Sequence, residues 1–103
     1  MMTLASKNLF NLDHSLQNLT RLFTKYNLTP NQIKVYLYLS KMGIKTATEL
    51  SKSLGIPRTE VYHLLGGLRQ KGIIFVVFGR PTKFDAIEIK KSIETLLELE
   101  KSR

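Results

Sequence analysis

The side chains best suited to chemistry in this sequence are gathered in "RTEVYHLLGGLRQKG", residues 58–72. Arg58 carries a planar fork that can donate two hydrogen bonds to guanine, and Thr59 can meet a thymine methyl or a phosphate. Tyr62 offers its hydroxyl to a phosphate, although a tyrosine on a helix edge serves equally well as rim packing. His63 is a polar group at the same height, suited to a base contact and equally to ordinary solvation. The chemistry on offer is recognition by hydrogen bonding, with Arg58, Thr59, Tyr62 and His63 as candidate base readers.

A second set is suited to gripping phosphate. Lys45, Thr46 and Thr48 stand at the start of a short helical pattern, where free amides and the helix dipole attract an anion. Arg69 adds a further cation to this set. Arg80, with Lys83 nearby, belongs to the loop "GRPTK", and an arginine so placed can enter a narrow minor groove.

Reactive chemistry is missing from the pattern. The chain has no cysteine, which excludes a disulfide scaffold, a Cys-based zinc site and thiol catalysis. His14 and His63 are its two histidines, on different elements and without a carboxylate at metal-ligand spacing. No glycine-rich phosphate loop follows a strand, because Gly66 and Gly67 lie inside a helical pattern. Neither catalytic residues nor a metal or cofactor is expected.

Charge narrows the class of partner. Residues 1–87 hold twelve basic and four acidic residues, whereas residues 88–103 hold four of each, so the body carries the whole net charge of +8. A cationic body favours polyanions, above all nucleic acid. Membrane binding is disfavoured, because the basic residues are scattered over several elements and form no single amphipathic face. No apolar run approaches the roughly 18 residues of a membrane span. The N-terminus lacks the charge and apolar pattern of a secretory signal, so a cytoplasmic protein is expected.

The elements that must position these residues follow from periodicity and caps. Leu9, Leu12, Leu16, Leu19, Phe23 and Tyr26 make a heptad-like seam, giving an amphipathic helix over about residues 12–26, with Asn11 or Asp13 near its start. In "LTPNQIKVYLYLSKMG", Thr29 is a good N-cap, Pro30 suits the first helical position and Gly43 the end. That helix is apolar on two sides, through Ile33 and Tyr36 on one and Val35 and Leu39 on the other, so it should be sandwiched. Thr46 and Glu49 form a capping box for "TATELSKSLG", with Ala47, Leu50 and Leu54 as its buried stripe and Gly55 as its stop. A tight turn then leads into the helix at about residues 57–71, which makes a helix-turn-helix. "IIFVVFGRPTKFDAI" reads as an antiparallel hairpin with its loop at 79–82, and "KKSIETLLELEKSR" as a last amphipathic helix.

Placed on a wheel at about 100° per residue, Val61, Leu64, Leu65 and Leu68 form one apolar face of the second helix. Thr59, His63 and Gln70 lie opposite, and Arg58, Tyr62 and Arg69 run along one edge. Gly66 and Gly67 fall on the outward side, where core packing does not demand them. Each costs about 0.8–1 kcal/mol in a helix interior relative to alanine. A bare backbone there would admit DNA or a neighbouring element closely; alternatively, it would loosen the second half of the helix.

The pieces "LTPNQIKVYLYL", "TATELS", "GIPRTEVY", "LRQKGII" and "GRPTKF" occur in order through residues 28–87. In these the chain resembles the winged-helix DNA-binding domain of the archaeal TrmB-like transcriptional regulators. The resemblance implies an α+β, mostly helical fold: a winged helix-turn-helix with a two-stranded β wing and flanking N- and C-terminal helices. It further implies sequence-specific binding of double-stranded DNA by a homodimer on a palindromic operator. Three segments are expected: a helical extension at 1–27, the winged helix at 28–88, and a C-terminal helix at 89–103 available for dimerisation. The effector domain that binds sugars in longer relatives has no counterpart in the residues after the wing, so no sugar ligand is expected. The competing reading is a winged-helix module that grips a protein partner without reading DNA.

Overall fold

The computed structural model describes residues 16–101. The expected caps Asn11 and Asp13, with Leu9, Leu12 and His14, lie outside that range. Helix α1 covers described residues 16–25 and ends at Asn27, whose φ of 70° turns the chain. Helix α2 (Pro30–Met42) starts at a complete capping box, in which the Gln32 N–H donates to Thr29 Oγ1 at 3.2 Å and the Thr29 N–H to Gln32 Oε1 at 2.9 Å. Strand β1 (Lys45–Thr46) leads directly into α3 (Ala47–Leu54), and α4 (Arg58–Gln70) follows. Strands β2 (Ile74–Val77) and β3 (Lys83–Ala86) form the hairpin, and α5 (Ile89–Lys101) closes the order.

Each expected element is present, together with one that the pattern of residues did not announce. The sheet has three antiparallel strands in the order β1-β3-β2. The wing strands pair from Ile74↔Ala86 to Val77↔Lys83, and β1 adds Lys45↔Phe84 and Thr46↔Lys83 on the other edge of β3. Two residues carry no periodicity, so β1 was invisible in the sequence. Its pairing joins the start of α3 to the wing.

Helix α2 is sandwiched, with Ile33, Val35, Tyr36 and Leu39 all buried. Phe23 of α1 packs edge-on against Tyr36, ring centroids 5.3 Å apart. On the other side the Tyr36 hydroxyl donates to the Ile87 carbonyl and lies 2.9 Å from Ser92 Oγ, the buried polar group at the start of α5. Burial pushes the Tyr36 hydroxyl above its ordinary pKa, so it remains a donor. Phe23 and Leu96 thus share one core with Leu50, Leu65 and Leu68, and both terminal helices are built into the body.

Candidate nucleic-acid interface

The turn between α3 and α4 is held by its own backbone. Gly55 takes the left-handed conformation at φ 67°, its N–H donating to Ser51 O at 2.9 Å, and Ser51 Oγ donates to Ile56 O at 2.6 Å. Ile56 is buried beneath the turn, which sets the angle at which α4 leaves. Helix α4 then buries Val61, Leu64, Leu65 and Leu68 and turns Arg58, Thr59, Tyr62 and His63 to solvent. All four candidate base readers are exposed, Thr59 and His63 opposite the buried face and Arg58 and Tyr62 along its edge.

Around them the structure makes two concavities. The first, of about 480 Å³, is walled by Thr46 and Thr48 at the start of α3, by Tyr62 of α4, and by Arg80 and Thr82 of the wing loop. Members of three candidate sets, which the sequence leaves separate, therefore meet at one corner. The β1–β3 pairing is the cause, because it fixes Thr46 opposite Lys83 at the base of the loop. Arg58 reaches toward the same corner, its Nη1 donating to Thr48 Oγ1 at 3.4 Å. Lys45 behaves differently: its ammonium donates to the carbonyls of Met42 and Ile44, at 3.5 and 3.4 Å, beside the C-terminal end of α2.

The second concavity, about 550 Å³, lies along the other edge of α4. Thr29 and Gln32 of α2 face Tyr62, His63, Gly66, Gly67 and Gln70 across it. Tyr62 is the ridge between the two, 55% exposed. The two glycines differ here. A Cβ on Gly66 would meet nothing within 4 Å, whereas one on Gly67 would stand 2.6 Å from Gln32 Nε2. Close approach by a neighbouring element, one of the reasons expected for the pair, is thus met at Gly67.

The acids near this surface are already engaged. The Thr46 N–H holds the Glu49 carboxyl below its ordinary pKa, with Thr46 Oγ1, Lys45 and Lys83 acting in the same direction. Glu60 accepts from Asn31 Nδ2 at 3.0 Å. Lys83 is exposed at the start of β3, and Arg69 is exposed in the last turn of α4, where its guanidinium lies over the Phe78 ring. Gln32, Thr82 and Phe78 escaped the sequence reading. A helix cap and a loop threonine have local reasons to be present, and an apolar residue at the end of a strand passes for core. Among the described residues, no group of three or more His, Cys, Asp or Glu side chains gathers as a metal site.

Three helices, a tight turn and a hairpin whose loop rises beside the second helix define a winged helix-turn-helix fold. Solved structures agree on the fold. The transcriptional regulator Tm0710 from Thermotoga maritima superposes with a TM-score of 0.64 at 22% identity, over 90% of this chain and 70% of that one. A point mutant of S. aureus MepR bound to oligodeoxyribonucleotide does so with a TM-score of 0.60 at 18% identity, over 95% and 77%. The chain belongs to the TrmB family: the family described as sugar-specific transcriptional regulator TrmB matches residues 22–90. The HTH-type sugar sensing transcriptional regulator TrmBL1 of Pyrococcus furiosus is 34% identical over 74 residues, which is 72% of this chain and 22% of that protein. The chain spans less than a third of the length of the curated relatives it matches. The family is described as one of transcriptional regulators.

Proposed function

We propose that this chain reads double-stranded DNA by sequence, as a winged-helix transcriptional regulator that works as a homodimer on a palindromic operator in the cytoplasm. Helix α4 enters the major groove, with Arg58, Thr59, Tyr62 and His63 toward the bases, and the wing tip at 79–83 follows the adjacent minor groove. The observation that carries this reading is the shared corner where Thr46, Thr48, Tyr62 and Arg80 converge beside the exposed face of α4. Hydroxyls and a cation gathered beside a reading helix suit a DNA phosphate, which fixes register while the bases give specificity. The dimer is assigned to the terminal helices, which leave Leu16, Leu97 and Leu99 between 42% and 45% exposed on a surface otherwise rich in charge.

The test is a titration of the chain with random and genomic duplexes at two salt concentrations. Affinity should fall steeply with salt, log K dropping about 0.9 per neutralised phosphate for each decade. Absence of binding even at low salt would overturn the reading and favour a protein partner for the same surface. Light scattering at micromolar concentration should give the mass of two chains, and Leu97→Glu should give the mass of one.

A further inference from the structure

Phe78 follows β2, outside the strand ladder and the core, and at 75% it is the most exposed large apolar side chain among the described residues. Exposure of a single apolar residue says little by itself. Its position says more. The Arg69 guanidinium carbon lies 5.9 Å from the centroid of its ring, within the range where an aromatic face attracts a cation. The two residues come from different elements, Arg69 from the last turn of α4 and Phe78 from the stem of the wing. Arg69 also runs along the same edge of α4 as Arg58 and Tyr62, the edge that faces the wing.

We propose that Phe78 is a positioning residue, whose ring holds the Arg69 guanidinium ready to meet a phosphate of the bound duplex. A guanidinium is planar and weakly hydrated, so it stacks on a ring while its in-plane N–H groups stay free to donate. A flexible arginine loses rotamer freedom when it grips a phosphate, and a side chain already held by a ring has less to lose. The proposal rests on the reading of the chain as a duplex-DNA binder, and it assigns a role to a residue that touches no base.

The experiment measures duplex affinity against salt for the unmutated chain, Phe78→Leu, Phe78→Trp, Arg69→Ala, Arg69→Lys and the Phe78→Leu/Arg69→Ala pair. Arg69→Ala should lower the salt slope by about 0.9, one phosphate contact. Phe78→Leu should weaken binding about two- to five-fold, as expected of an exposed cation–π contact, and Phe78→Trp should restore it. Arg69→Lys keeps the charge and loses the planar fork, so it should bind as weakly as Phe78→Leu. With Arg69 already alanine, Phe78→Leu should change nothing. Thermal melting should move by no more than one exposed cation–π contact contributes, since both side chains are otherwise exposed. An equal loss from Phe78→Leu in both backgrounds would mean that the ring acts on the duplex directly, and would overturn the proposal. So would unchanged affinity in Phe78→Leu or Arg69→Lys. Failure of the DNA reading itself is distinguishable, because it shows as absent binding in the unmutated chain.

Discussion

Helix α3 is secured at both ends, by the Thr46–Glu49 capping box and by the left-handed Gly55, whereas α4 begins at Pro57 with no side-chain cap and carries two glycines in its second half. What holds α4 is its side: Val61, Leu64, Leu65 and Leu68 are buried against the body. Most helical stability in proteins comes from packing of this kind, because helices this short are marginal alone. The contrast has a functional consequence. The outward face of α4 has few structural duties, so its residue types are free to suit whatever they read. The residues at the start of α3 do both tasks, since Thr46 caps the helix and also walls the corner shared with the wing.

Substitutions can break this comparison. The largest effect is expected from Leu68→Ala, which empties a fully buried site and should destabilise the fold by about 2–5 kcal/mol in denaturant unfolding. Arg58→Ala should leave stability almost unchanged and cost about 1–3 kcal/mol of discrimination between operator and mismatched duplex. Full specificity in that variant would remove Arg58 from the base readers. Thr46→Ala opens the capping box and should destabilise by about 1 kcal/mol, while also weakening DNA binding through the shared corner. A loss of stability without a loss of affinity would separate the two tasks assigned to Thr46.

The glycine pair sharpens the comparison further. Gly66→Ala should stabilise by about 0.8–1 kcal/mol, because nothing stands where its Cβ would go. Gly67→Ala should gain less, because Gln32 must move and its Oε1 is the partner of the Thr29 N–H in the capping box of α2. Equal gains in melting temperature would show that Gln32 yields freely. Reduced DNA affinity in Gly66→Ala would mark that open position as the place where the duplex comes close.

The smallest effect concerns acid. The folded pKa of Glu49 lies below its ordinary 4.5, so its contribution to stability is present above that value and lost as pH falls through the folded pKa. Glu49→Gln should remove that part of the acid-side slope in melting experiments below about pH 4.5. An unchanged slope would assign the acid sensitivity to other carboxyls.

Most of what is local was legible in the sequence, because caps and periodicity act over short stretches of a helix. Thr29 with Pro30, the Thr46–Glu49 capping box and the apolar stripe of α4 all lie within one or two helical turns, and they announced the helices, whereas the Gln32 half of the cap of α2 appears only in the structure. The α+β winged helix was legible too, through the order of those elements and the hairpin. The fold decided what depends on distant residues. Strand β1 exists because β3, almost forty positions later, offers it an edge, and that pairing brings Thr46 and Arg80 to one corner. Gly67 is explained by Gln32, thirty-five positions earlier, and Gly66 stays open. Likewise Arg69 finds Phe78, and Lys45 turns to the end of α2. Local free energies select helices and turns one segment at a time, but a surface made from three elements takes shape only when the core closes.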